Sequence, residues 1–178
     1  MILGVYIAIV FLALVMQGFF SGSEIALVSA NRLQLEEQAK NGHSGSIRAL
    51  RLLSSEERML GTCLIGTNLS VITGTTVLAV LLGTLGYHNE WLVALIFAPL
   101  AFIFGESLPK SVYQHHATFL ASVVALPLLL CQKIFAPGLS VVSGWASFLS
   151  IDGGSITHAG FTREEIVELL ENPDPDDV

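Results

Sequence analysis

Long apolar runs separated by short polar stretches set the pattern of the chain. Residues 2–20 are apolar apart from Gln17 and long enough to cross a hydrocarbon core of about 30 Å as a helix. The run passes through Ser21-Gly22-Ser23-Glu24 into Ile25-Ala26-Leu27-Val28, so one helix is expected to reach about residue 30. It has neither a basic leading segment nor a small-x-small cleavage site, and reads as a retained helix. Residues 31–58 are polar and mixed in charge, with Asn41-Gly42-His43-Ser44-Gly45 as the turn between two helical pieces. A second span is expected over residues 59–82 and a third over 91–108, joined by a hairpin at 84–90. Pro99 is expected to kink the third span and Pro109 to break it. Residues 117–149 are apolar again but carry Pro127, Gln132-Lys133 and Pro137-Gly138. A fourth span is one reading of them; two short helices dipping into or lying along the interface fit the interruptions better. Thr162-Arg163-Glu164-Glu165 has the pattern of a capping box opening a short amphipathic helix. Residues 172–178 then read as a linker that would precede a soluble domain.

The pattern predicts an all-α integral membrane protein. Three transmembrane helices, at about 2–30, 59–82 and 91–108, are joined by a pair of juxtamembrane or re-entrant helices at about 111–150. Together these make a membrane domain over 1–150, and 151–178 forms a cytoplasmic linker with its amphipathic helix. Composition agrees: 52% of residues are hydrophobic and 13% charged, where a soluble domain would carry about 25% charged residues. The net charge of -7 misleads, because seven of the fifteen acids lie from Glu164 onward. No basic stripe with interleaved aromatics supports nucleic-acid binding. Cys63 and Cys131 fall in apolar runs and read as packing residues. Five of the eight basic residues lie in 31–58 and none in 84–90. By the positive-inside rule the former segment is cytoplasmic and the N-terminus outside. The C-terminus is then cytoplasmic, in a multi-pass protein of the cell membrane.

Candidate chemistry gathers where polar groups interrupt apolar runs. Glu106 follows the apolar stretch 91–104, and an ionisable group at membrane depth is expensive and usually functional. Pro109 clashes with the carbonyl four residues back, that of Gly105, so a break would free an oxygen beside the carboxylate. Two hard oxygens side by side begin a site for Mg2+ or a similar cation. The plainer reading is an interfacial Glu at a helix end with Pro109 merely stopping the helix. In the first span Ser21 and Glu24 share a helical face while Ser23 points elsewhere, and Gly22 leaves room for another helix. The second span is threaded with Thr, Ser, Gly and Asn; its Asn68 offers the amide oxygen best suited to a hard cation. His115 and His116 are adjacent and do not share the i, i+4 face that metal sites prefer. No paired aspartates, Gly-x-Ser-x-Gly or His-Glu-x-x-His lie in a span, so no enzyme is expected and an intramembrane protease least of all.

Ser21-Gly22-Ser23-Glu24, Ile65-Gly66-Thr67-Asn68-Leu69 and Gly105-Glu106-Ser107-Leu108-Pro109-Lys110 occur in order on three successive helices. In these motifs the chain resembles the DUF21 transmembrane domain of the CorC/CNNM (cyclin M) magnesium transporters. The resemblance implies a homodimer, Na+-coupled Mg2+ export, and cytoplasmic CBS domains that this chain lacks. It places Ser21, Asn68 and Glu106 on the Mg2+ ion, to which the reading of Pro109 above adds the Gly105 carbonyl. Ser23, Glu24 and Ser70 are further candidates, for Na+ or for support of those ligands. The competing expectation is a membrane sensor or scaffold that holds an ion structurally and moves none.

Overall fold

Ser and Gly cost a helix interior at most about 1 kcal/mol each, whereas a broken backbone in lipid leaves its polar groups without partners. The first run therefore stays helical through its polar patch, as α1 (Ile2–Val28). The structure, a computed structural model, describes residues 2–87 and 89–149. The expected 151–178 linker, the Thr162 helix and His88 fall outside the described residues.

Asn31 makes the first corner. Its side-chain oxygen caps α2 (Arg32–Lys40) by accepting the Gln34 N–H at 3.2 Å. Its own N–H donates to Thr118 Oγ1 at 3.1 Å. Gly42, at φ +86°, makes the left-handed turn into α3 (Ser44–Leu53), so the two helical pieces flank the expected turn. Arg32 donates to the Leu53 carbonyl and to the Glu56 carboxylate, both at 3.2 Å, which closes the α2–α3 pair onto the start of α4 (Glu56–Thr84). Leu35, Ala49 and Leu52 are buried with Phe20, Leu27, Met59, Cys63, Ala121, Ala125 and Leu128 in one apolar cluster. Most hydroxyls of α4 are satisfied within their own helix. Thr62, Thr67, Ser70, Thr73 and Thr75 each donate to the carbonyl four residues back, so they need neither another helix nor an ion to lie at membrane depth.

Two expectations are corrected in the second half. The third span does not end at residue 108. It runs as α5 (Glu90–Leu100), a π-helical segment (Ala101–Ser107) and α6 (Leu108–His115). The Leu108 N–H reaches the Ile103 carbonyl, five residues back. This widened turn moves the carbonyls out from under the Pro109 ring, so the proline is absorbed instead of breaking the helix. Pro99 likewise lies inside α5. The second correction concerns the juxtamembrane pair expected at 111–150. Residues 117–149 form one 33-residue helix, α7 (Ala117–Leu149), which continues through Pro127 and Pro137. Proline is tolerated in apolar helices where local adjustments re-satisfy the freed backbone. The short helical pair of this fold is α2–α3.

Among the described residues, four stretches are long and apolar enough to cross a membrane by length and composition: Leu3–Val28, Glu56–Thr84, Glu90–His115 and Ala117–Pro137. α1 is central to the first three. Phe20 sits on Gly66 while Ala13 approaches Gly74, so α1 and α4 run antiparallel. Gln17 meets Gly105, Gly18 meets Pro109 and Gly22 meets Tyr113, so α1 and the third span run parallel. α7 leaves the α1–α2 corner at Thr118, passes Ser46 with Ser122 (Oγ to Oγ 3.1 Å) and brings Phe135 to Phe20 at a ring distance of 6.2 Å.

Candidate cation site

The face of α1 that meets the third span is built for close approach. A Cβ on Gly18 would lie 2.8 Å from Pro109 Cγ and 3.3 Å from the Phe104 carbonyl oxygen, and one on Gly22 would lie 2.8 Å from the Tyr113 ring. The expected role of Gly22, room for another helix, is what the fold uses. Gly105 is bare for the same reason, because a Cβ there would collide with the Gln17 side-chain amide. That amide lies against the π-helical turn, and its Nε2 donates to the Ala101 carbonyl at 3.4 Å. Its Oε1 is buried and accepts nothing. One helical turn on, Ser21 is 3% exposed and its Oγ has no partner, and Ser23 Oγ is in the same position on another face. A buried polar atom left unpaired costs about 1–3 kcal/mol. Gln17 Oε1 and Ser21 Oγ, one turn apart on one face, are hard oxygens with acceptor capacity to spare.

Glu106 stands on the π segment next to Gly105 and is about half exposed. Its carboxylate accepts from Lys110 Nζ at 2.7 Å, one turn further along. A cation arriving at Glu106 would share the carboxylate with this ammonium or displace it. Glu24 is partly buried on α1. Ser70 is buried and donates to the Gly66 carbonyl at 2.8 Å, which leaves its oxygen able to accept. Asn68 is not brought to the others. Gly66 and Ser70 face inward, whereas Asn68, about 200° round the helix from Gly66, is exposed on the far side of α4. The structure thus puts Gln17 against Gly105, with Ser21 one helical turn further along the same face of α1, and leaves Asn68 apart.

Two side chains at this turn are not among the candidates of the sequence. Gln17 registered only as a polar interruption, although its i, i+4 spacing from Ser21 was the available signal. Lys110, likewise at i+4 from Glu106, enters the sequence analysis only as the last residue of its motif. Among the described residues no three His, Cys, Asp or Glu side chains converge. What the site offers is hydroxyl, amide, carbonyl and one carboxylate oxygen. Such a donor set suits a small hard cation better than a transition metal.

The family model described as the cyclin M transmembrane N-terminal domain matches residues 7–177. A UPF0053 protein of Synechocystis is 32% identical over 91% of this chain and 40% of its own length. The UPF0053 inner membrane protein YfjD of Escherichia coli is 32% identical over 62% of the chain and 27% of its own length. A UPF0053 protein of Haemophilus influenzae is 33% identical over 72% of the chain and 31% of its own. The chain thus spans less than half the length of these relatives. With three motifs on three packed helices and a match over nearly its whole length, the chain belongs to the cyclin M transmembrane N-terminal domain family.

Proposed function

We propose that this domain binds Mg2+ within the membrane and exports it in exchange for Na+. The observation that carries this reading is Ser21 Oγ, buried and unpartnered on the α1 face that packs against the turn bearing Gly105 and Glu106. In this reading Ser21, the Gly105 carbonyl and Glu106 hold the ion. A single carboxylate complements Mg2+ weakly, which suits an ion that must also leave. Ser23, Glu24 and Ser70 remain the candidates for Na+ or for supporting the ligands. Reconstituted in liposomes with a trapped Mg2+ dye, the protein is expected to move Mg2+ only when a Na+ gradient is imposed. Flux indifferent to Na+ would remove the coupling, and binding without flux would make the domain a sensor or scaffold.

The proposed orientation places α2 and α3, with Arg32, Lys40, Arg48 and Arg51, in the cytoplasm and the 85–89 turn outside, in the cell membrane. In intact cells an impermeant thiol reagent should label Tyr87→Cys and spare Ser44→Cys; the opposite labelling would invert the topology and the direction of export.

A homodimer is part of the same proposal. An amide facing lipid lacks a partner, and a second copy covering the Leu64, Asn68 and Ile72 face of α4 would supply one and bring Asn68 into the assembly. Asn68→Cys is expected to cross-link two copies under mild oxidation. Monomer alone, at any oxidant concentration, would place the dimer contact elsewhere.

A further inference from the structure

We propose that Gln17 is itself a ligand of the cation, contributing an uncharged amide oxygen one helical turn before Ser21. The proposal rests on the reading of the site given above and adds to it a residue outside the three motifs. Three observations meet at this side chain. Gln17 is 4% exposed in the middle of an apolar helix, and its Oε1 has no hydrogen-bond partner. Its orientation is fixed, because the Ala101 carbonyl can only accept and so must face the amide nitrogen, at 3.4 Å. That leaves the oxygen turned away from Ala101. Finally, Gly105 has no side chain where the Gln17 amide lies, which puts the amide directly against the residue next to Glu106.

Each end of the amide then has a separate task. The nitrogen ties α1 to the first carbonyl of the π-helical turn, and the oxygen is held ready before any ion arrives. Ser21 Oγ follows at i+4 on the same face, also buried and unpartnered. Amide and hydroxyl oxygens are hard, neutral donors of the kind that Mg2+ and Na+ accept without raising the charge of the site. An oxygen oriented by a bond at the other end of its own side chain loses little freedom on binding.

Two substitutions separate ligation from simple tethering, read by calorimetric Mg2+ titration of the purified chain. Gln17→Met keeps length and volume without either polar atom and is expected to weaken Mg2+ binding tenfold or more. Gln17→Glu gives up the bond from Nε2 to the Ala101 carbonyl but keeps an oxygen at the same reach and adds charge, and is expected to bind Mg2+ at least tenfold more tightly than the parent. If Gln17→Glu binds no better than the parent, Gln17 only tethers the turn and the proposal fails. Unchanged affinity in Gln17→Met would also overturn it. Should Gln17→Met not yield monodisperse protein, the comparison of Gln17→Glu with the parent decides alone. A parent chain that binds no Mg2+ at all would sink the transport reading and this inference together, a result distinct from loss of the inference alone.

Discussion

Replacing Glu106 with Gln is expected to abolish measurable Mg2+ binding while the protein stays folded. Glu106 is the one carboxylate at the π-helical turn, and the other candidate donors around it, Ser21 and the Gly105 carbonyl, are neutral. Exchanging its charge for an amide of equal volume removes the dominant attraction for a doubly charged ion. A loss of at least a hundredfold in affinity, or about 2.7 kcal/mol, is expected. The fold should tolerate the change, because among the described residues the interaction lost is the pair with Lys110. That pair is an i, i+4 contact with side chains 39% and 45% exposed, a class worth about 0.3–0.5 kcal/mol. Calorimetric titration beside a thermal melt checks both halves. Unchanged affinity would mean that Glu106 is an interfacial charge paired to Lys110 and that the ion sits elsewhere.

Gly66→Val should be the most damaging apolar substitution between the spans. Phe20 is 3% exposed, and its ring lies where a Cβ on Gly66 would stand, 2.5 Å from three ring atoms. The ring cannot swing aside easily, being held edge-on by Phe19 at 5.2 Å and flanked by Phe135 at 6.2 Å. Inserting an isopropyl group there forces α1 and α4 apart. Overpacking of this kind reaches about 3 kcal/mol, on the order of 6–12 °C in melting temperature for a chain of this size. Adding Phe20→Ala to Gly66→Val should recover part of the loss, since the two changes act on one contact. Equal melting of Gly66→Val and parent would show that the helices are not in contact at this point.

The chain's own pattern determined that it is helical and built for a membrane. Apolar runs of span length, the polar hairpin centred on Gly42, and the Ser21, Asn68 and Glu106 motifs were all legible, because each depends on local composition or on i, i+4 spacing. The family followed from the same motifs. Only tertiary structure decided what the prolines do. Pro109 predicts a break when its clash is weighed alone, but a π-helical turn absorbs that clash, and Gly18 leaves space for its ring against α1. Pro127 and Pro137, read along the chain alone, mark the ends of short helices dipping into or lying along the interface. Surrounded by apolar contacts, continuing the helix leaves fewer backbone groups unpaired, and α7 runs on. The candidate site divides along the same line. Which residue types could hold a cation was readable, but which of them face one another was not. The rotation of α4 that sends Asn68 outward is set by Phe20 seating on Gly66, and the burial of Gln17 by the bare backbone at Gly105. Both are contacts between residues more than forty positions apart in the chain, and no periodicity within one helix encodes them.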